Sequence, residues 1–315
     1  MRTAAYHGHV QAMLLAAWLG TRLQPLTELR PKPIVPVANR PLAAFAMEHL
    51  ARSGADSIVA NTHPQPAAVE SALKAACPRG VELRFSREET LLGTGGGLRK
   101  ASPWFDDPQA PVVVMNGDTL FGPDLRYAYA EHLALGAVAT MILRRTARPE
   151  RFGAIGIDEE GWVRTLLGVP SDARTHETLM FTGVHILAPE AFSAMPESGC
   201  IIRTAYRGWV DAGAPVLGVV DDSPWADLGT VSDYHRLNLE LASGLFPWRG
   251  VAAQDGCILP ASVEPSANIR QSVVGADVRI GEGVTLNRCV VWPGTTLASS
   301  ATNAVITPQH RIEVS

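Results

Sequence analysis

A run of glycine, threonine, arginine, lysine and proline near the start of this 315-residue chain has the composition of a phosphate site. A glycine lets backbone N–H groups approach phosphate oxygens, while arginine and lysine neutralise the charge of a departing pyrophosphate. The prolines stiffen the run, so little ordering entropy is lost on binding. The run therefore predicts a phosphate-binding segment around Gly20, Arg22 and Lys32. It reads Leu19-Gly20-Thr21-Arg22-Leu23-Gln24-Pro25-Leu26-Thr27, followed by Pro31-Lys32-Pro33 and Pro36-Val37.

Asp118 follows the apolar run Val112–Met115, and Asp227 lies between Trp225 and Gly229. An isolated aspartate after a strand is more often a turn or cap residue, so the residue types alone assign neither of them to a site.

A glycine-rich run at Gly93–Gly97 carries almost no side chains, and we interpret it as a loop. Taken alone it is a weak signal. It fails the dinucleotide fingerprint, because Leu98 stands where that pattern requires its third glycine, and it lacks the Gly-Lys-Ser/Thr ending of a Walker loop.

Apolar, β-rich runs alternate with helix-like segments in the first part of the chain, which is typical of parallel βαβ units. In such sheets the ligand lies at the carboxyl ends of the strands, and Gly20 comes shortly after the first one. We therefore expect an α/β fold over residues 11–243, after an unstructured extension at 1–10. Its sheet should be Rossmann-like, mixed and mainly parallel, with helices on both faces. The runs are 12–17, 57–61, 81–85 and 111–115 for strands, and 41–52 and 66–76 for helices.

Small residues return every six positions in the last part of the chain, 244–315. A six-residue period with turn residues between its members predicts a short left-handed β-helix of hexapeptide coils. A short antiparallel extension is the alternative. Because a few coils leave an apolar edge uncovered, we expect the tail to join copies of the chain into a homo-oligomer. The periodic positions are Val263 and Ile269 and, after a slip of three residues, Val278, Val284, Val290, Thr296 and Thr302.

The order of these motifs closely resembles the sugar-1-phosphate nucleotidyltransferases, also called nucleotide-sugar pyrophosphorylases, and most of all their mannose-1-phosphate guanylyltransferase branch. The resemblance covers residues 13–243. It implies that a sugar-1-phosphate oxygen attacks the α-phosphorus of a nucleoside triphosphate, which releases pyrophosphate and forms an NDP-sugar such as GDP-mannose. Beyond the first segment it rests on Leu92-Gly93-Thr94-Gly95-Gly96-Gly97, Asn116-Gly117-Asp118, Phe181-Thr182-Gly183 and Trp225-Ala226-Asp227-Leu228-Gly229-Thr230.

The resemblance also implies roles for individual residues. Arg22 would stabilise the β- and γ-phosphates, Lys32 would act near the α-phosphate, and Asp118 would complete the catalytic set. Asp118 and Asp227 would hold Mg²⁺, which prefers one or two carboxylates together with substrate phosphates and water. The Gly93–Gly97 loop would lie against the nucleobase, and Glu88 and Glu89, just before it, could contact base or ribose or lie in solvent. The residues expected to contact the nucleotide are Leu15, Ala16, Ala17, Gly20, Thr21, Gly93, Thr94 and Gly117, and those expected to contact the sugar are Gly153, Thr182 and Gly183.

Two departures from the family pattern stand in these sites. Trp18 replaces a glycine of the phosphate loop, and Val169 stands where many members carry a lysine that grips the sugar phosphate. They keep open a second hypothesis, a catalytically impaired homologue that binds nucleotide sugar or has a regulatory role. A third, an acyltransferase built on the hexapeptide coils, is disfavoured because only His310 lies beyond position 235.

Composition excludes several other classes. With 31 acidic and 27 basic residues the chain carries a net charge of −4 and no basic tract, so we expect no nucleic-acid partner. The longest apolar stretch, Met13–Leu19, is far too short to span a membrane, and no signal-peptide pattern precedes it, which predicts a cytoplasmic protein. Four widely spaced cysteines favour buried free thiols over a zinc site or disulfides.

Overall fold

A computed structural model describes residues 10–170, 173–261, 263 and 268–314. The chain divides into two compact units. The sheet unit consists of Met1–Trp18 and Ala43–Trp225, and the tail unit of Leu19–Leu42 and Ala226–Ser315. We call Leu19–Leu42 the phosphate segment. The predicted extension lies outside the described residues except for its last residue, Val10, which begins the first strand. The domain limits 11–243 and 244–315 stay predictions.

Among the described residues, nine strands of one mixed sheet organise the sheet unit. The strands are β1 Val10–Leu15, β2 Ala55–Thr62, β3 Glu82–Arg87, β4 Val112–Asn116, β5 Ala139–Arg144, β6 Ala154–Ile157, β7 Val163–Leu166, β8 Glu177–Leu187 and β9 Val216–Val220. Their spatial order is β7-β6-β8-β4-β1-β2-β3, and β5 pairs with β8 on one edge and with β9 on the other.

The sheet is parallel on one side and mixed on the other. Strand β1 pairs in parallel with β2 and β4, and β2 pairs in parallel with β3. Strand β8 runs antiparallel to β4, β5 and β6. The predicted mixed, mainly parallel α/β sheet is confirmed. The four parallel strands end at the same edge, so the residues after Leu15, Asn116 and Arg87 come together there.

The helices occupy the segments between the strands. The helix Val231–Ser243 shows why they start and stop where they do: Thr230 caps it by accepting the N–H of Asp233 at 3.2 Å, and Gly244 ends it in a left-handed conformation. Among the described residues, none of the helices is long and apolar enough to cross a bilayer. The helices are α1 Leu26–Leu29, α2 Leu42–Arg52, α3 Pro66–Ala75, α4 Gly93–Ala101, α5 Leu125–Leu135, α6 Arg207–Asp211 and α7 Val231–Ser243.

The core of the sheet unit is a cluster of buried aliphatic and aromatic side chains. Strand β4 shows how the sequence builds it, because Val112, Val113, Val114 and Met115 are all buried, as a strand covered on both faces requires. Two of the four cysteines correct the expectation of buried thiols: Cys200 is exposed and Cys77 is half-buried, whereas Cys257 and Cys289 are buried.

The tail contains short strands that stack in parallel. Ile269 pairs with Leu286, and Leu286 pairs in turn with Ala301. Only the last strand runs antiparallel to its described neighbour. The left-handed β-helix stays a prediction. The strands are β10 Ile269–Arg270, β11 Val273–Val274, β12 Arg279–Ile280, β13 Leu286–Val291, β14 Thr296–Leu297, β15 Ala301–Ile306 and β16 Arg311–Glu313.

The six-residue register fails near its end. Ile269, Val284 and Val290 are buried as predicted, but Thr296 and Thr302 are exposed. Their neighbours Leu297 and Ala301 take the interior positions instead, because the pairing register is set by which side chains are apolar rather than by counting.

Candidate active site

Several predicted nucleotide residues lie at the carboxyl edge of the parallel strands. Leu15, Ala16 and Ala17 are buried at the end of β1, and the N–H of Gly117 donates to the Leu15 carbonyl at 2.8 Å. A Cβ on Gly117 would lie 2.9 Å from that same oxygen, so only glycine fits. Asp118 follows directly and is 8% exposed. The structure therefore brings Ala16, Ala17, Gly117 and Asp118 to one edge of the sheet.

A buried amide and carboxylate tie this edge together. Asn61 accepts the N–H of Ala16 at 2.7 Å through its side-chain oxygen and donates to Glu88 at 2.7 Å through its side-chain nitrogen. The other carboxylate oxygen of Glu88 accepts the N–H of Leu92 at 2.9 Å. Glu88 is 4% exposed, which excludes its placement in solvent, whereas Glu89 is exposed. Sequence reasoning missed Asn61, because an asparagine inside a strand carries no motif.

The glycine-rich run begins a helix, so its interpretation as a loop is wrong. Gly93 starts α4 with φ of +73°, and the helix packs against the chain around Gly199. The N–H of Gly95 donates to the Gly199 carbonyl at 2.9 Å, and Thr94 accepts the N–H of Ile201 at 3.0 Å. A Cβ on Gly95 would lie 2.6 Å from Pro196. The glycines are thus needed for contact within the protein, and nucleobase contact by Gly93 and Thr94 stays a prediction.

Two of the predicted sugar residues lie on strand β8, next to β4. Thr182 is buried, and its hydroxyl donates to the Ile142 carbonyl at 2.7 Å. Gly183 lies so close to the side chain of Asn116 that any Cβ would collide with it. The structure therefore places Thr182 and Gly183 beside the strand that leads to Gly117.

The third predicted sugar residue is linked to these by aromatic contacts. Gly153 has φ of +83° and follows Phe152, whose ring packs edge-on against Trp225 at 5.1 Å between centroids. The indole N–H of Trp225 donates to the Thr182 carbonyl at 3.0 Å. Val169, the departure in this region, is 40% exposed.

Trp18, the other departure, is fixed within the sheet unit. Its indole N–H donates to the Leu15 carbonyl at 3.0 Å, and its half-buried ring packs against the apolar core cluster of that unit. The burial of an indole on aliphatic side chains accounts for its orientation.

His185, one residue after Val184 on β8, is a core residue. It is buried and hydrogen-bonded to the hydroxyl of Tyr206 at 2.8 Å, and burial lowers its pKa to about 3. Burial likewise raises the pKa of the Tyr206 hydroxyl well above its usual value. Both side chains are therefore neutral near pH 7 and suited to packing rather than to proton transfer.

In the tail unit, the phosphate segment folds back on itself around Gly20. Gly20 has φ of +65°, and its carbonyl accepts the hydroxyl of Thr27 at 2.9 Å. A Cβ on Gly20 would lie 2.8 Å from the Thr27 methyl and 3.0 Å from Cβ of Lys32. Lys32 itself is only 5% exposed. The segment is thus not a plain loop, because Thr21–Leu23, Leu26–Leu29 and Lys32–Ile34 form short helical turns.

Arg22 and Asp227 meet at Gly229 in the same unit. A Cβ on Gly229 would lie 3.0 Å from a carboxylate oxygen of Asp227 and 3.2 Å from a guanidinium nitrogen of Arg22. The glycine therefore leaves room for a cation and a carboxylate side by side. Such a pair can bind an anionic phosphate chain together with its counter-ion. Among the residues that the structure describes, no group of three or more His, Cys, Asp or Glu side chains forms a metal site.

Comparison with known proteins shows the family of this chain. A family model described as "Nucleotidyl transferase" matches residues 11–244. A mannose-1-phosphate guanylyltransferase of Mycobacterium tuberculosis is 30% identical over 292 residues, which cover 90% of this chain and 80% of that protein. A UTP–glucose-1-phosphate uridylyltransferase of Synechocystis is 32% identical over 71% of this chain and 61% of its own length. The crystal structure of HddC from Yersinia pseudotuberculosis has the same fold, with a TM-score of 0.60 and 21% identity over 73% of this chain and 98% of that one.

Proposed function

Because this chain belongs to the nucleotidyl transferase family, we propose that it transfers a nucleoside monophosphate from a nucleoside triphosphate to a sugar 1-phosphate. We further propose GTP and mannose 1-phosphate as the preferred pair. The relative with the greater shared length is a mannose-1-phosphate guanylyltransferase, while the uridylyltransferase supports UTP and glucose 1-phosphate as the competing pair. The observation that carries the proposal is the meeting of Arg22 and Asp227 at Gly229.

The reaction needs no protein nucleophile. An oxygen of the sugar phosphate forms a bond to the α-phosphorus, and the bond from that phosphorus to the bridging oxygen breaks, which releases pyrophosphate with the bonding electron pair. Negative charge grows on the leaving group, so a fixed guanidinium at Arg22 lowers the barrier. Lys32 is nearly buried and held in place by its segment, and it stabilises charge near the α-phosphate.

The donor set fits Mg²⁺. Asp118 follows strand β4 and is nearly buried, and Asp227 is the last residue of the short strand Trp225–Asp227. Carboxylate oxygens in small number are what Mg²⁺ takes from proteins when phosphates and water complete its shell. When bound, the ion would neutralise phosphate charge and orient the triphosphate. We propose Asp118 and Asp227 as its protein ligands.

The remaining assignments belong to the same proposal. The nucleotide is contacted by backbone groups at Ala16, Gly20 and Gly117, where side chains are absent or small. The sugar is contacted at Gly153, Thr182 and Gly183. The tail forms a left-handed β-helix through which copies of the chain associate, and the protein acts in the cytoplasm.

Variants of the charged residues test the proposal. Arg22→Ala, Asp118→Asn and Asp227→Asn should each lower turnover roughly a hundredfold or more, because the first removes the cation that stabilises the leaving pyrophosphate and the other two remove proposed ligands of Mg²⁺. Thermal unfolding should change little. The matched controls, Arg207→Ala and Asp211→Asn, alter an exposed ion pair on α6 and should retain full activity. Full activity in all three site variants would contradict the proposed site.

A second candidate is supported by Trp18 and Val169, which replace family residues of the two substrate sites. It is a homologue that binds nucleotide sugar without turnover. Binding of an NDP-sugar with no pyrophosphate release from any substrate pair would favour it over the enzyme.

A further inference from the structure

The carboxyl half of the phosphate segment is held by helix α7 and by the tail strands, all within the tail unit. The hydroxyl of Tyr234, on α7, donates to the Pro36 carbonyl at 2.5 Å and accepts the indole N–H of Trp292 at 2.9 Å. Tyr234 and Trp292 are both buried. One hydroxyl therefore joins the phosphate segment to the residue that follows strand β13.

Two more hydrogen bonds hold the carboxyl half of the phosphate segment. Asn238, one turn along α7, accepts the N–H of Ala38 at 2.8 Å, and Asn39 donates to the Val274 carbonyl of the tail at 2.7 Å. Ala38 and Asn39 have φ of +46° and +64°, which is the left-handed region. A non-glycine residue in that region is strained and persists only when the surrounding structure holds it there. The hydrogen bonds from Asn238 on α7 and to Val274 of the tail stabilise these two backbone conformations.

A stacking contact adds a third link from the tail. The guanidinium of Arg30 lies over the indole of Trp292, 5.5 Å from the ring centroid. Arg30 stands two residues before Lys32, and Pro36 stands four residues after it. The indole of Trp292 thus supports the chain on both sides of Lys32, once directly and once through Tyr234.

The phosphate segment cannot hold this shape alone. Its helical turns contain three or four residues each, too short to be stable without outside contacts. The side chain of Lys32 packs under Gly20, which precedes Arg22, so a shift of the Lys32 backbone moves the start of the segment as well. The placement of both proposed catalytic cations therefore depends on contacts made by the tail.

We propose that Trp292, acting through Tyr234 and Arg30, is a positioning residue for Lys32 and Arg22, so that the tail takes part in catalysis as well as in assembly. This inference rests on the proposed nucleotidyl transfer. Neither aromatic residue touches substrate in it. Each holds the backbone from which the cations reach the phosphates.

Conservative variants separate this role from simple stabilisation. Tyr234→Phe and Trp292→Phe remove the hydroxyl or the indole N–H and keep a ring. The matched control is His235→Leu, which removes the hydrogen bond of 2.7 Å from His235 to the Arg288 carbonyl. That bond also joins α7 to the tail, but it does not touch the phosphate segment. Asn39→Gly, at an exposed position where glycine accepts the positive φ, is a fourth variant that endangers folding least.

The first readout is steady-state pyrophosphate release with matched substrates. Tyr234→Phe and Trp292→Phe should lower kcat roughly tenfold, because misplaced cations lose transition-state stabilisation, while KM changes less than twofold. Asn39→Gly should lower kcat by a smaller factor. His235→Leu should lower the melting temperature without lowering kcat.

The second readout needs no substrate. Hydrogen exchange of peptides covering residues 31–40 should become faster in Tyr234→Phe, Trp292→Phe and Asn39→Gly, and stay unchanged in His235→Leu. Unchanged exchange and unchanged kcat in the first three variants would overturn the inference, as would an equal loss of kcat in His235→Leu. If the wild-type protein releases no pyrophosphate at all, the proposed function and the catalytic role built on it both fail, and exchange alone decides whether the tail holds the segment.

Discussion

Asn61 binds Glu88 across two strand ends, with 2.7 Å between its amide nitrogen and the buried carboxylate. The same asparagine receives the N–H of Ala16, and the same carboxylate receives the N–H of Leu92. The pair therefore links the end of β1 to the start of helix α4. Both of those places are proposed to contact the nucleotide.

Glu88→Gln replaces a carboxylate by an amide of the same shape, and we expect it to lower activity nevertheless. Both carboxylate oxygens accept N–H groups, so an amide must turn a donor towards one of them and leave a buried donor without an acceptor. We expect kcat/KM to fall roughly tenfold and the free energy of unfolding to drop by about 1–3 kcal/mol. Steady-state kinetics and denaturant unfolding measure both. Glu89→Gln, at the exposed neighbouring position, should change neither.

Strand positions were predictable in this chain because they depend on runs of apolar residues. The run at 111–115 marks β4, and Pro41 and Gly54 bracket the helix Leu42–Arg52. The hydrogen bonds of Glu88 were not predictable, because a carboxylate before a glycine-rich run can equally well be exposed to solvent. Only the fold shows that its carboxylate contacts the side chain of Asn61.

Gly95→Ala tests the packing interpretation of the glycine-rich run. The new Cβ would lie 2.6 Å from Pro196, so the chain around Gly199 must move. We expect a loss of about 1–3 kcal/mol in unfolding free energy, which is typical of overpacking. Gly208→Ala is the control on helix α6, where nothing lies within 4 Å of the added Cβ, and it should stabilise the protein by up to about 1 kcal/mol. Equal stability of Gly95→Ala and the wild type would contradict the packing role.

The glycine-rich run also shows what its sequence could not predict, namely which group packs against the glycines. Glycines permit close approach by a base or by the protein's own backbone, and composition does not distinguish the two. Similarly, Thr296 and Thr302 continued a six-residue count but not the apolar pattern, and the interior positions went to Leu297 and Ala301.

Acidification should destabilise the protein through its buried histidines. Burial lowers the pKa of His185 to about 3 and that of His132 to about 4, whereas an unfolded histidine titrates near 6.5. Between these values the unfolded state binds more protons than the folded state. The contribution of the two histidines to the free energy of unfolding is therefore fully present above about pH 6.5 and is lost as the pH falls. Each histidine should remove about 2 kcal/mol between pH 7 and pH 5. Denaturant unfolding at both pH values checks this, and His185→Gln should shrink the difference by about 2 kcal/mol. An unchanged difference would refute the role of His185.

Trp18→Gly separates an active enzyme from an impaired homologue. Because the half-buried indole packs on the core of the sheet unit, its removal should cost roughly 1–3 kcal/mol of stability, less than a fully buried tryptophan. Turnover per folded molecule should not rise. If Trp18→Gly instead binds nucleotide more tightly and turns over faster, the indole obstructs the nucleotide in the wild type. Two measurements on Trp18→Gly and the wild type distinguish these results: a nucleotide titration for affinity and a pyrophosphate-release assay for turnover.

The most direct test of the account is a pyrophosphate-release assay that crosses GTP, UTP, ATP, CTP and dTTP with mannose 1-phosphate, glucose 1-phosphate and other sugar 1-phosphates in the presence of Mg²⁺. We predict release that requires both substrates, is greatest for GTP with mannose 1-phosphate, and is matched mole for mole by NDP-sugar. A different best pair would correct the substrate and leave the reaction standing. Absence of release with every pair would contradict the assignment of this chain as a sugar-1-phosphate nucleotidyltransferase.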